Sequence, residues 1–291
     1  MLGVDAAHRL EARLPGAVLQ DPVARELAAL FTLGVFAAFS GNDLLAADAG
    51  KYGGRLGWGM VELARRDMGV ILGTLVITFV AALIALPMGF FGGVWLAEFG
   101  RNGKIATGVR MVANVNMGIP SIVVGVFIFA ALVRPLQHYS GFAGSIALAF
   151  IMLPVMARTT EDILNLVPNE LRESGLALGA PRWRVTLGVV IRAARSGLIT
   201  GAVLATVRVA GETSPLLFTA LSSPYWLQGL FGPEGFFGGP TANLTKTVYD
   251  FSGMPYARMQ ELAWGGALVI IVAVLGLNVL MRLIFQRGKE W

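Results

Sequence analysis

The sequence predicts an all-α fold, a polytopic membrane bundle of about six transmembrane helices, and three observations carry that reading. Only 14% of the residues are charged and 55% are hydrophobic, whereas soluble domains carry about 25% charged residues. Apolar runs long enough to cross a bilayer recur along the chain. The 37 glycines suit helices that approach one another closely in lipid. A typical soluble enzyme is excluded. The net charge of +5 and sequence pI of about 9.9 reflect a positive-inside bias rather than nucleic-acid binding. With no cysteines, disulfide and thiolate chemistry are excluded. His8 and His138 stand far apart with no neighbouring ligand pattern, so no metal is predicted.

The elements follow in order. Residues 1–26 carry Arg9, Glu11, Arg13, Asp21, Arg25 and Glu26 without an uninterrupted apolar stretch, so they do not read as a signal peptide. The first apolar run, Leu27–Ser40, has only 14 residues, short of the roughly 20 that a span needs. It is the weakest of the six. Met68–Phe99 is long enough to cross with tilt, and Pro87 marks a kink. Val109–Val133 is the third span, Gly141–Ala157 (extending toward Ile163) the fourth, Gly197–Leu221 the fifth and Glu261–Phe285 the sixth. Together they form one membrane domain over 1–291, with an N-terminal segment 1–66, a core 68–287 and a loop 158–196.

Six crossings put both termini on one side. Arg9, Arg13, Arg25, Arg101, Lys104, Arg110, the six arginines between 158 and 195, Arg282, Arg287 and Lys289 then share a side, fifteen cations against seven on the other. The fifteen-cation side is predicted to be cytoplasmic. An external loop of roughly forty residues precedes the last span, and loops that long usually serve a function.

Two stretches carry more than span chemistry. In the 158–196 loop, "VPNELRESGLALGAPRWRV" puts Pro168 where a helix starts and Gly179-Ala180-Pro181 where it stops, with a second helix beginning near Trp183. Leu171, Leu176, Leu178 and Trp183 would be exposed there without a partner surface. In "RVAGETSPLLF", Arg208 and Glu212 stand four apart, which on a helix puts them on one face. An arginine at mid-span is costly and needs a partner or an aqueous cavity. Glu212 would be that partner. Thr213 beside it offers a hydroxyl, equally able to bond its own backbone. Asn114, Asn116 and Ser121 surround Pro120, where they could repair freed backbone or line a pathway.

The run Glu173-Ser174-Gly175, Gly179, Val189 and Ile191 resembles the EAA motif of permease subunits of bacterial ABC importers. Ser174-Gly175 replace its two alanines, and Arg192 stands where that family has proline. Gly197–Ala220, Pro240–Trp264, Gly89–Phe99 and Asn114–Gly125 are similar to PstA-type subunits of the phosphate-specific importer, a resemblance running from about 69 to 287. It implies a permease subunit of the bacterial cytoplasmic (inner) membrane that moves inorganic phosphate and has no ATPase site of its own. In agreement, the chain has no phosphate-binding loop, since Gly50-Lys51 and Gly103-Lys104 lack the earlier glycine.

The resemblance further implies a separate ATPase dimer that holds ATP and Mg, a homologous permease subunit of the PstC type, and an external phosphate-binding protein. The cytoplasmic helix would enter a groove of the ATPase. Leu171, Leu176 and Leu178 would seat it, Glu170, Arg172 and Glu173 would set its register, and Gly175 and Gly179 would shape it. Arg208 would offer a guanidinium fork to phosphate, with Glu212 and Thr213 beside it. Chemistry alone leaves other oxyanions open, molybdate or sulfate among them. An ion-coupled secondary transporter and a membrane scaffold are the more distant alternatives.

Overall fold

The computed structural model of the chain describes residues 68–100, 103–223 and 235–286. The chain falls into two compact units. Residues 69–247 with 273–291 form the larger, and 1–68 with 248–272 the smaller. The expected short span Leu27–Ser40 lies outside the described residues.

Every described element is helical: α1 (Met68–Val94), α2 (Lys104–Gly118), α3 (Ser121–Ile128), α4 (Arg134–Leu136), α5 (Gly141–Asn165), α6 (Asn169–Ala177), α7 (Arg182–Val185), α8 (Ile191–Ala210), α9 (Ser214–Thr219), α10 (Leu244–Ser252) and α11 (Ala257–Gln286). Three π-helical turns, Trp95–Gly100, Phe129–Val133 and Thr186–Val190, continue α1, α3 and α7. Four stretches are long and apolar enough to cross a membrane: 69–100, 141–165, 182–210 and 257–276. A fifth counts if the bent pair α2 with α3–α4 is one span.

Two expected spans are corrected. Val109–Val133 is not one helix, because α2 ends at Gly118 and the chain turns by 103° before Ser121. The residue before a proline is pushed out of the helical region, and Ile119 is extended at φ −71°, ψ 132°. Pro87 and Pro154, by contrast, sit inside unbroken helices. Gly197–Leu221 also breaks, since α8 ends at Ala210 with Gly211 as its C-cap and α9 starts afresh at Ser214. The cationic 158–196 stretch is mostly helix too. α5 runs on to Asn165, and 182–210 is one helical stretch, so the non-span connection shrinks to 166–181.

In the larger unit, α1 packs on α5 and α5 on α8 around Ile77, Ala81, Ala85, Leu148, Met152, Ala205, Val209, Leu216 and Phe236. Ser145 fastens α5 to α1 by donating to the Ile77 carbonyl at 3.0 Å. Small residues set the spacing, as expected where lipid offers no hydrophobic drive between helices. A Cβ added at Gly93 would lie 2.4 Å from the Ala157 carbonyl oxygen, and one at Gly89 2.7 Å from the Met156 Cβ. A second core, with Val94, Ala97, Leu164, Val167, Val185, Val190 and Leu198, joins the ends of α1 and α5 to the 182–198 stretch.

In the smaller unit, the end of α10 and the start of α11 are joined by a turn. There the Gln260 side chain donates to the Met254 carbonyl at 2.9 Å. Tyr249, Tyr256 and Trp264 are exposed there.

Candidate functional site

The helix-turn-helix read from sequence is present. Pro168 occupies the N-cap of α6, where its fixed φ and missing N–H cost nothing. The helix closes as Leu178 N–H reaches the Ser174 carbonyl and Gly179 N–H the Leu176 carbonyl. Gly179 then takes φ +79°, the left-handed cap conformation that glycine adopts without steric cost. Pro181 starts α7. Gly175 permits close packing, since a Cβ there would meet Val185 at 2.9 Å.

Of the residues expected to face a partner, Glu170, Leu171, Glu173, Leu176, Leu178 and Gly179 are exposed. Leu178 is 88% exposed, more than any other large apolar residue around α6. Leu166 and Trp183, on either side of α6 in sequence, are exposed as well.

Arg172 is the correction. It points inward at 8% exposure and cannot set register on an outside groove. Its Nε and Nη2 donate to Glu98 Oε1 at 3.0 and 2.8 Å. Its Nη1 and Nη2 also donate to the Val167 and Leu164 carbonyls at 2.5 and 2.7 Å. Beside it, Glu161 is 2% exposed and lies between Arg110, at 2.6 Å, and Arg158, at 2.5 Å. Arg110, Arg158, Glu161 and Arg172 line a polar cleft of about 620 Å³ with Asp162, Asn165 and Asn169.

Sequence reasoning took Arg208–Glu212 as the one clear ion pair inside the spans and passed over this cluster. A signal was available: Glu98 in "WLAEFG" and Glu161 in "ARTTEDIL" are carboxylates within helices otherwise apolar enough to span, and such groups are rare without a role or partner.

Arg208 and Glu212 do not share a helix face. Arg208 lies exposed in the last turn of α8, where a cation suits the helix dipole. Glu212 lies beyond the C-cap, its N–H donating to the Val209 carbonyl at 3.0 Å. No ion pair joins the two among the described residues. The Glu212 carbonyl instead accepts the Thr245 hydroxyl at 3.3 Å. Thr213 holds the N-cap position of α9 without a side-chain cap bond.

The turn is braced by the segment before α10. Asn243, fully buried, donates to the Leu221 carbonyl at 2.7 Å, and its Oδ1 accepts the Lys246 N–H at 3.0 Å. Leu244 N–H donates to Thr74 Oγ1 of α1 at 2.7 Å. Around the other break, Asn116 makes a long contact of 3.5 Å to the Phe150 carbonyl, and its Oδ1 is buried without a partner. Asn114 is exposed.

Among the described residues no group of histidines and carboxylates could hold a metal. What the arrangement offers is an unpaired cation at a helix end inside a candidate span, and an apolar-surfaced short helix outside the spans.

Residues 89–289 match the family of binding-protein-dependent transport system inner membrane components. The chain is 44% identical over 210 residues to a phosphate transport system permease protein PstA of Yersinia pestis, covering 72% of this chain and 69% of that protein. It is 43% identical to its Pasteurella multocida counterpart, covering 77% of each. Among solved structures, the inward-facing MetNI methionine ABC transporter is similar at a TM-score of 0.59 and 20% identity, covering 78% of this chain and 95% of that one. That likeness speaks to the fold.

Proposed function

Because the chain belongs to the PstA family of phosphate transport system permease proteins, it is an inner-membrane permease subunit of a phosphate ABC importer, and we propose that Arg208 meets phosphate in its pathway while α6 receives a separate ATPase. The chain is not itself the ATPase. The family is binding-protein-dependent, so an ATPase and a binding protein work with it. The finer partners are an ATPase dimer that holds ATP and Mg, a homologous permease subunit of the PstC type, and an external phosphate-binding protein. The 68–287 core acts as one permease domain.

The exposure of Leu171, Leu176 and Leu178 on a helix outside the candidate spans carries the ATPase reading. Exposed apolar clusters of this kind mark interaction surfaces. For the pathway, the exposed Arg208 carries it, since a cation at membrane depth faces a cavity or a partner. Glu212 and Thr213 follow it in the turn where the helix breaks.

Proteoliposomes containing both permease subunits and the ATPase, supplied with binding protein, are expected to accumulate phosphate only when ATP is inside with the ATPase. Accumulation driven by an ion gradient without ATP would instead favour a secondary transporter. Competition by molybdate or sulfate, but not phosphate, would redirect the substrate assignment.

The fifteen-to-seven cation asymmetry supports cytoplasmic termini and a cytoplasmic helix-turn-helix. A reporter fused after Trp291 should be active only in its cytoplasmic form. Activity restricted to the outside would reverse the orientation. A second reporter, inside 41–67, tests whether Leu27–Ser40 crosses.

A further inference from the structure

We infer that the Arg172–Glu98 ion pair is the strap through which motion of α6 reaches the membrane helices, a positioning contact that couples ATP use to phosphate passage. This rests on the reading of α6 as the ATPase-receiving helix and names the residues that carry its displacement inward. The helix has only nine residues, and its close backbone packing is with the 182–190 stretch that follows it, where Gly175 abuts Val185. That stretch reaches the ends of α1 and α5 through the second core, and a polar contact joins α6 to them directly.

Arg172 does so with every nitrogen of its guanidinium. Two of its bonds go to the carbonyls of Leu164, in the last turn of α5, and Val167, two residues past its end, where the helix presents its negative dipole end. Two more go to Glu98, which lies in the π-helical turn ending the α1 stretch. Side-chain exposure of the pair is 10% and 9%, so water and salt screen it little.

Arg110 of α2 reinforces the same turn, donating to the Leu96 carbonyl at 3.1 Å while pairing with Glu161 of α5. Displacing α6 therefore pulls on the ends of α1 and α5 together. Those two helices cannot slide freely past one another, because Gly89 and Gly93 bring them into backbone contact. Leu171, Leu176 and Leu178 are exposed where Arg172 is buried, so receiving the ATPase and transmitting its motion fall to different side chains.

The test is Glu98→Gln and Glu98→Ala in the full transporter, reconstituted with both permease subunits, ATPase and binding protein. These changes leave Arg172 its two carbonyl acceptors and leave the exposed leucines untouched. The ATPase should still co-purify and hydrolyse ATP in response to binding protein, while phosphate imported per ATP falls about fivefold or more, the scale of an ordinary coupling free energy. A static support would lower hydrolysis and import in proportion, and an unchanged ratio of this kind overturns the strap. So does loss of assembly in both variants.

Leu178→Asp separates the two readings. If Leu178→Asp abolishes ATPase co-purification while Glu98→Gln leaves the ratio intact, only the strap is wrong. If Leu178→Asp has no effect, the seat on α6 is wrong. Joining Cys residues placed at 98 and 172 with a short bifunctional thiol reagent should restore the ratio, and with no native cysteines in this subunit the link there is unambiguous.

Discussion

Replacing Arg208 by methionine in the assembled transporter is expected to cut phosphate uptake about 100-fold or more, because two charge-assisted hydrogen bonds at about 1.5–3 kcal/mol each would be lost. Membrane abundance should stay near normal. Arg208 is exposed on the subunit and has no carboxylate partner among the described residues, so its removal leaves no orphaned buried charge. That distinguishes it from Arg172, where deletion strands the Glu98 carboxylate at about 3–5 kcal/mol. Arg208→Lys keeps the charge and loses the planar fork, so it should recover uptake only in part. Glu212→Gln should be milder than either, since the carboxylate does not hold the arginine. Uptake by Arg208→Met with Glu212→Gln at the wild-type rate, measured with labelled phosphate, would reject the role.

The second large effect is at Leu178. An aspartate there costs the isolated subunit little, because the side chain is 88% exposed. Within an apolar seat the same charge is desolvated without a partner, at about 3–5 kcal/mol, or roughly 1,000-fold in ATPase affinity. Leu176→Asp should follow it with a smaller margin, since Leu176 is already 40% exposed rather than fully free. Co-purification of ATPase with the variant, normalised to membrane abundance, reads the result directly. Normal co-purification alongside normal uptake would remove α6 from the interface.

The helix-turn-helix was legible because its signals are local and stereochemical. Pro168, Gly179 and Pro181 act on their own backbone, and the start and stop they prescribe are found at Asn169 and Ala177. The inward turn of Arg172 was not legible, because its carboxylate lies 74 positions away at Glu98 and helical spacing alone leaves the facing side open. Much the same holds for Glu161, which the sequence reading put in the 158–196 loop although its helix runs on to Asn165. The ends of α2 and α8 were harder still. Hydropathy runs on through Ile119-Pro120 and Gly211-Glu212-Thr213, and apolar content does not distinguish one helix from two. A proline was no guide by itself, since Pro87 and Pro154 leave their helices whole while Pro120 marks a break. At Arg208, the four-residue spacing misled because Gly211 ends the helix between the two charges.

The glycine contacts of α1 have a meaning for genetics. Every missense change at a glycine codon adds at least a Cβ, so no conservative allele exists where that carbon has nowhere to go. At Gly73 it would fall 1.9 Å from the Ala242 carbonyl oxygen, and at Gly93 2.4 Å from that of Ala157. At Gly108, Gly118 and Gly188 it would meet nothing within 4 Å in the subunit itself. Null alleles of this transporter should therefore gather at Gly73, Gly89 and Gly93 of α1, and spare Gly92, where an added Cβ meets its nearest neighbour only at 4.0 Å.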